Sequence, residues 1–104
     1  MLNSKQRAYL RSLANTIDTI LIVGKGGITE QVIKQADDAL TAREIIKGKA
    51  LENSETNSRE TAEIIAEKVN ADVVQVIGYR FILYKPAKNA ENRKIVLPNK
   101  KSKK

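Results

Sequence analysis

Apolar and polar positions follow two different periods along this chain, and the periods predict three helices and four strands. Apolar residues spaced three or four apart predict helices over residues 4–14, 30–41 and 59–70. β-branched or alternating segments predict strands over residues 19–23, 43–50, 73–77 and 80–85. The resulting order, α-β-α-β-α-β-β, is typical of an α/β protein of the two-layer α+β kind.

The spacing between these elements predicts how the strands pair. Helices separate the first three strands, which favours parallel pairing through crossovers. Only Gly78 and Tyr79 separate the last two strands, which favours an antiparallel hairpin. We therefore expect a mixed four-stranded sheet. Alternation along the second strand predicts one face with Ile45, Lys47 and Lys49 and another with Ile46, Gly48 and Ala50.

Charge is concentrated at the C-terminal end of the sequence. The chain has 104 residues and a formal net charge of +7, and residues 93–104 hold six basic side chains and no acidic one. We interpret residues 1–98 as a single domain and residues 99–104 as a basic tail that is disordered in the free protein. Such a tail would attract nucleic acid without sequence preference.

The residues that perform most enzyme chemistry are missing from the sequence. It contains no cysteine and no histidine, which removes disulfides, thiolates, the commonest general base and the commonest zinc ligand. We expect no catalytic residue, no metal, no cofactor and no small-molecule substrate. No apolar segment is long enough to span a bilayer, and no signal-like region follows Met1. We therefore expect a cytoplasmic protein that does not bind membranes.

A glycine-rich segment, Gly24-Lys25-Gly26-Gly27, connects the first strand to the second helix. Free amides at the start of a helix and a lysine beside them suit a phosphate group. The spacing does not fit a mononucleotide P-loop, and Thr29 stands where a dinucleotide motif needs its third small residue. It does fit the G-x-x-G loop with which KH domains clamp a nucleic-acid backbone. Taken alone this motif is weak, because many strand-to-helix turns use glycines.

Further basic residues are candidates for extending a contact with RNA. They are Lys5, Arg7 and Arg11 in the first helix, Lys47 and Lys49 in the second strand, and Arg80 and Lys85 in the fourth. Each of them has the alternative role of a solvated, solubilising charge. The acidic stripe of Glu60, Glu63 and Glu67 predicts that the third helix faces away from RNA. Because aromatic residues are few, with Tyr79 as the best stacking candidate, we expect recognition of backbone and shape more than of bases.

Several segments in the same order resemble the CRM-domain family in its bacterial single-domain form, the YhbY-like RNA-binding proteins. The similar segments are residues 5–11, 23–29, 43–47, 74–78, 83–86 and 95–98. Two positions depart from the family pattern. Gly48 replaces a usual β-branched residue, which predicts a bulge or a weaker strand there, and Lys85 replaces a usual arginine and so loses its bidentate fork.

The resemblance implies a fold and a partner. The fold would be that of the C-terminal domain of bacterial initiation factor three, with helices on one face of the sheet and the other face open. The partner would be structured RNA, namely ribosomal RNA during assembly of the large subunit (the pre-50S particle), contacted by the loop glycines and Lys25. We expect a monomer. A DNA-binding module or a ribosome-associated protein-binding adapter is the alternative.

Overall fold

The computed structural model of the protein describes residues 2–52, 56–86 and 95. Its elements, in chain order, are α1 (Ser4–Ala14), β1 (Thr19–Val23), α2 (Glu30–Arg43), β2 (Ile45–Ala50), α3 (Ser58–Val69), β3 (Asp72–Ile77) and β4 (Arg80–Tyr84). The order of elements predicted from the sequence is confirmed, and every boundary lies within two residues of its predicted place. The predicted basic tail lies outside the described residues.

The four strands form one mixed sheet in the order β1-β2-β4-β3. β1 and β2 are parallel, as the intervening helix predicts, and β3 and β4 form the expected antiparallel hairpin. β4 also pairs antiparallel with β2, so it lies between β2 and β3 and keeps them from pairing directly. The carboxyl ends of β1 and β2 therefore lie at the same edge of the sheet as the turn that joins β3 to β4.

Polar side chains define where the helices begin. The Asn3 side chain accepts a hydrogen bond from the Gln6 amide at 2.8 Å, and the Gln6 side chain accepts one from the Asn3 amide at 3.2 Å, which makes a capping box. Asn57 and Glu60 form the same arrangement at the start of α3. The Ser58 hydroxyl donates to the Gly78 carbonyl at 2.6 Å, which holds the β3–β4 turn against α3.

The boundary between α2 and β2 lies two residues later than the sequence predicts, because Glu44 ends the helix. Glu44 has a φ of 68° and is 1% exposed. Its amide donates to the Leu40 carbonyl at 2.7 Å, and its carbonyl accepts from the Lys85 amide at 2.8 Å. A non-glycine residue with positive φ gives no simple sequence signal, so alternation alone predicts a strand that starts at Arg43.

Neighbouring residues of each strand pack into two separate hydrophobic clusters. Ile46, Phe81 and Leu83 belong to a cluster with α2 and α3, and we call this side of the sheet the α2/α3 face. Ile45 and Ile82 belong to a cluster with α1, and we call that side the α1 face. The predicted alternation along β2 is confirmed, because Ile45 and Ile46 take part in different clusters.

The expectation that all helices lie on one face of the sheet is wrong. Leu10 and Ala14 of α1 are fully buried against Ile45, Ile82 and Tyr84 on the face opposite to α2 and α3. Sequence periodicity shows that a helix has an apolar stripe, but it does not tell which face of a sheet the stripe covers. Ile45 pairs with Tyr84 at the edge of the sheet away from the glycine loop, so α1 covers that half of the α1 face and leaves the other half open.

The bulge predicted at Gly48 is also absent, because β2 pairs with β4 in unbroken register from Ile45 to Lys49. Register shifts occur instead in β1, between Thr19 and Leu21, and in β3, between Val73 and Gln75. Gly48 lies opposite Phe81, and a Cβ atom at position 48 would overlap the Phe81 ring. The glycine therefore makes room for Phe81, the largest of the fully buried side chains among the described residues.

Candidate nucleic-acid interface

The glycine loop follows β1 directly, and each of its glycines has a different environment. The Gly27 amide donates to the Gly24 carbonyl at 2.9 Å, which closes a tight turn, and Gly27 has a φ of 75°. A Cβ atom at Gly24 would lie 3.3 Å from Leu51 Cδ1, so a side chain there would press on the segment after β2. A Cβ atom at Gly26 would meet nothing within 4 Å. Gly24 and Gly27 are thus explained by the fold, whereas Gly26 is not.

Lys25 and Gly26 form the exposed tip of this loop. Their amides donate to no atom of residues 2–52, 56–86 or 95, and Lys25 forms no ion pair with any of them. A bare backbone with an ammonium group beside it can approach a phosphate closely. The tip is therefore chemically suited to a phosphate.

The start of α2 adds less to this site than the sequence indicates. The Thr29 side chain accepts from the Val32 amide at 3.2 Å, so Thr29 is the N-cap of α2 and satisfies one of the free amides. Glu30 adds a negative charge in the first turn. Because this carboxylate already lies near the positive end of the helix dipole, an anion would gain less from the dipole there. The loop amides and Lys25 are the better donors.

A row of four side chains crosses the open half of the α1 face, next to the glycine loop. Strand register places Ile22 beside Lys49, Lys49 beside Arg80, and Arg80 beside Ile77. We call these four residues the cross-strand row. Lys47 shares its face and lies two residues away on β2. In the part of the chain that the structure describes, the side chains of Lys47, Lys49 and Arg80 have no hydrogen-bond or ion-pair partner.

Both isoleucines of the cross-strand row are largely exposed to water, Ile22 by 57% and Ile77 by 63%. The sequence analysis singles out neither isoleucine, and for Ile22 the reason is that the unbroken apolar segment of β1 is typical of a fully buried strand. Strand register shows to which face of the sheet each side chain points. Leu21 and Val23 point to the α2/α3 face, so Ile22 points away from it.

The three basic candidates of α1 differ in exposure and in hydrogen bonding. Lys5 and Arg11 are exposed on the outside of the helix. Arg7 is partly buried, and its Nη1 atom donates to the Val73 carbonyl at 2.6 Å and to the Val74 carbonyl at 3.4 Å. These carbonyls lie where the register of β3 shifts, so Arg7 holds α1 to the irregular part of that strand. α1 packs on the half of the sheet that lies away from the glycine loop, which separates Lys5 and Arg11 from Lys25.

Lys85 is not brought together with the other candidates. Its Nζ atom lies 3.3 Å from Asp37 Oδ1 on α2, and its side chain is only 22% exposed. Residue 85 follows Tyr84 and points to the opposite face of the sheet, so Lys85 belongs to the α2/α3 side. The described structure therefore groups Lys25, Lys47, Lys49 and Arg80 at one end of the molecule and leaves Lys85 outside that group.

The α2/α3 side has a groove of about 600 Å³ beside the same loop. Ile28, Ile33 and Ile64 form part of its wall, and Glu30, Lys34 and Lys68 stand among its polar lining residues. Among the residues described, no group of His, Cys, Asp or Glu could hold a metal ion. None of the helices in this part of the chain is both long enough and apolar enough to cross a membrane.

Comparison with known proteins gives consistent results. The family model of the CRS1 / YhbY (CRM) domain matches residues 2–85. The chain is 43% identical over 98 residues to Probable RNA-binding protein YqeI of Bacillus subtilis, an alignment that covers 94% of this chain and 100% of the relative. It is 32% identical over 99 residues to an RNA-binding protein of Haemophilus influenzae, covering 95% of this chain and 97% of the relative.

A solved structure agrees with the fold. The solution structure of the Staphylococcus aureus protein SAV1595 superposes with a TM-score of 0.77 at 47% identity and covers 94% of this chain and 100% of that one. The α+β architecture with three helices and a mixed four-stranded sheet thus has an experimentally determined counterpart. From the family match and these relatives we conclude that the chain belongs to the CRS1 / YhbY (CRM) domain family.

Proposed function

We propose that this protein binds RNA through the tip of its glycine loop and the unpaired cations of the α1 face, and that its target is ribosomal RNA in the assembling large subunit. One observation carries the proposal. Lys25, Lys47, Lys49 and Arg80 lie at one end of the molecule without a partner in the described chain, beside a glycine whose side-chain space is empty. Two relatives over nearly the whole length are named RNA-binding proteins.

The physical basis of binding is electrostatic attraction directed by a fixed backbone. Four cations that lack an ion-pair partner among the described residues attract phosphates and release counterions, which supplies affinity that falls with salt. The amides at the loop tip then hold a phosphate in place, because the Gly24–Gly27 hydrogen bond keeps the turn closed. α3 carries Glu60, Glu63 and Glu67 on its exposed surface, so the same RNA is repelled from the other side.

The identification of the target as ribosomal RNA is the more specific part of the proposal, and it rests on the family resemblance. The protein would act as a cytoplasmic monomer that joins precursors of the large subunit. Cross-linking in cells followed by sequencing of the attached RNA tests this part. Enrichment of large-subunit ribosomal RNA supports it, and enrichment of other RNAs alone overturns it.

The loop is tested by substitutions at its tip. Gly26 has room for a side chain and lacks a positive φ, so Gly26→Glu and Gly26→Ala should both fold like the parent. Gly26→Glu places a carboxylate where phosphate should lie, and we expect affinity for a large-subunit ribosomal RNA fragment to fall by about tenfold or more. Gly26→Ala should weaken it less, and Lys25→Ala by about three- to tenfold.

Lys34→Ala is the matched control for Lys25→Ala. Lys34 is also an exposed lysine, but it lies on α2 and pairs with Asp38 at 3.3 Å. Its removal should leave RNA affinity unchanged. If Lys25→Ala and Gly26→Glu bind RNA like the parent, the loop is not the binding site. Stronger binding to duplex DNA than to RNA at equal salt would favour a DNA-binding module instead, and failure to bind either would favour a protein-binding adapter.

A further inference from the structure

The cross-strand row combines exposed isoleucines with cations. The need for a soluble surface explains the cations but not the isoleucines. Single exposed apolar residues are common on protein surfaces and need no explanation. Here, however, two isoleucines with more than half of their surface in water flank two adjacent cations without a partner in the described chain, and all four lie on one line across the sheet. Edge strands such as β1 and β3 usually expose charged residues, which prevent association.

The dimensions of the row fit a single nucleic-acid strand. Its four residues cover three interstrand spacings, about 14 Å. Ile22 and Ile77 are therefore too far apart to contact one base, and Lys49 and Arg80 lie between them. A strand that crosses the sheet in this direction brings phosphates over the two cations and a base to each isoleucine.

Only unpaired nucleotides can use both parts of the row. In a helical RNA the base faces are stacked on each other, and mainly the backbone and the minor-groove edges are accessible. An unstacked base presents an apolar face that an exposed aliphatic side chain can cover. The groove on the α2/α3 side also has isoleucines and lysines, but its lining includes the carboxylates of Glu30 and Asp37, which repel phosphates.

We propose that the cross-strand row is a subsite for unpaired nucleotides, in which Ile22 and Ile77 pack against base faces and Lys49 and Arg80 hold the phosphates between them. The inference rests on the proposed function and refines it. The preferred ligand is an RNA in which unpaired nucleotides interrupt or adjoin a helix. The glycine loop holds the backbone, and the row distinguishes unpaired from paired RNA.

The test compares two probes, a fully paired RNA duplex and the same duplex with a bulge of unpaired uridines. The parent protein should prefer the bulged RNA. In the variant with both Ile22→Thr and Ile77→Thr, the ratio of the two dissociation constants should fall by about tenfold, because burial of half an isoleucine contributes several-fold in affinity. The variant with Ile22→Val and Ile77→Val should keep most of the preference, since valine has the shape of threonine but remains apolar.

Threonine and valine both favour strands, so both variants should fold, and thermal melting followed by circular dichroism verifies this. Arg59→Ala, which alters an exposed arginine on α3, is the control for non-specific charge effects. Sedimentation of the parent and the threonine variant completes the experiment.

The outcomes separate this inference from the proposed function. If the parent binds neither RNA, the proposed function fails and the subsite fails with it. If the parent binds both RNAs equally, or the threonine variant keeps the parent's preference, the subsite is overturned while RNA binding stands. If the parent sediments as a dimer and the threonine variant as a monomer, the row is a contact between copies of the chain and the subsite is overturned as well.

Discussion

On the side of the sheet that carries α2 and α3, three cations lie within 4.0 Å of a carboxylate, in the pairs Lys34–Asp38, Arg59–Glu63 and Lys85–Asp37. On the α1 face, Lys47, Lys49 and Arg80 have no such partner within the described chain. Pairing cancels the field of a charge at short range, whereas unpaired like charges on one surface add up. Pairing with carboxylates therefore distinguishes Lys34, Arg59 and Lys85 from the three cations of the α1 face.

The apolar residues differ between the two faces in the same way. On the α2/α3 face, Phe81 and Leu83 are at most 1% exposed. Gly48 has no side chain and so leaves space for the Phe81 ring. On the open half of the α1 face, Ile22 and Ile77 remain in water. The α2/α3 face is closed by packing, whereas half of the α1 face is left open. Substitutions at neighbouring residues of one strand can test this contrast, because their side chains point to opposite faces.

The largest effect is expected for Gly48→Val, which acts on the closed face. The new side chain would overlap the Phe81 ring, and overpacking of a core costs about 1–3 kcal/mol in the free energy of unfolding. Urea unfolding of the purified protein measures this loss. Adding Phe81→Leu removes the ring and should recover part of the stability lost at position 48. If Gly48→Val alone is as stable as the parent, Gly48 and Phe81 are not packed as described.

Arg7→Gln should come next, with a loss of about 1.5 kcal/mol or somewhat more in the free energy of unfolding. The guanidinium donates to the Val73 and Val74 carbonyls, and hydrogen bonds from charged groups contribute about that much. Arg11→Gln alters an exposed arginine on the same helix and should leave stability unchanged. A weaker RNA affinity in Arg7→Gln with unchanged stability would instead make Arg7 a contact residue, as the sequence alone predicts.

Lys49→Val tests the open face at the residue next to Gly48. Valine favours strands, so stability should be unchanged or slightly higher, while affinity for RNA should fall by about three- to fivefold. The slope of log affinity against log salt should become shallower by roughly 0.7 for single-stranded RNA. Gly48→Val should show the opposite combination, with reduced stability and unchanged affinity for the molecules that remain folded. A loss of affinity in neither variant would place the RNA elsewhere.

Local patterns predict most of this fold, because its helices and strands have regular periods. The β3–β4 hairpin and the two faces of β2 both follow from residue type and spacing. The position of α1 does not follow, since an apolar stripe fits either face of a sheet. The end of α2 at Glu44 was missed for a different reason, because a positive φ at a buried glutamate depends on tertiary hydrogen bonds.

The candidate site likewise has one part that the local sequence predicts and another that depends on tertiary structure. The glycine loop could be predicted because strand, turn and cap occur together in sequence. The grouping of Lys47, Lys49 and Arg80 depends on β4 lying beside β2, and the exposure of Ile22 depends on strand register. Both are long-range properties that periodicity does not contain. For Lys85 the sequence predicts a contact residue that the structure separates from the other candidates. Its sequence neighbour Tyr84 faces α1, whereas Lys85 itself reaches Asp37 on α2.

The smallest effect is expected for Lys85→Met. Its ion pair with Asp37 joins the end of β4 to α2, but the Asp37 side chain is 49% exposed, and such pairs contribute at most about 1 kcal/mol. Stability should fall by less than that, and affinity for RNA should not change, because the lysine is neutralised by its partner and faces away from the cross-strand row. Asp37→Asn should give the same small loss of stability. If Lys85→Met weakens RNA binding as much as Lys49→Val does, the two sides of the sheet do not differ in function, and pairing with a carboxylate is no guide to which cations of this fold contact RNA.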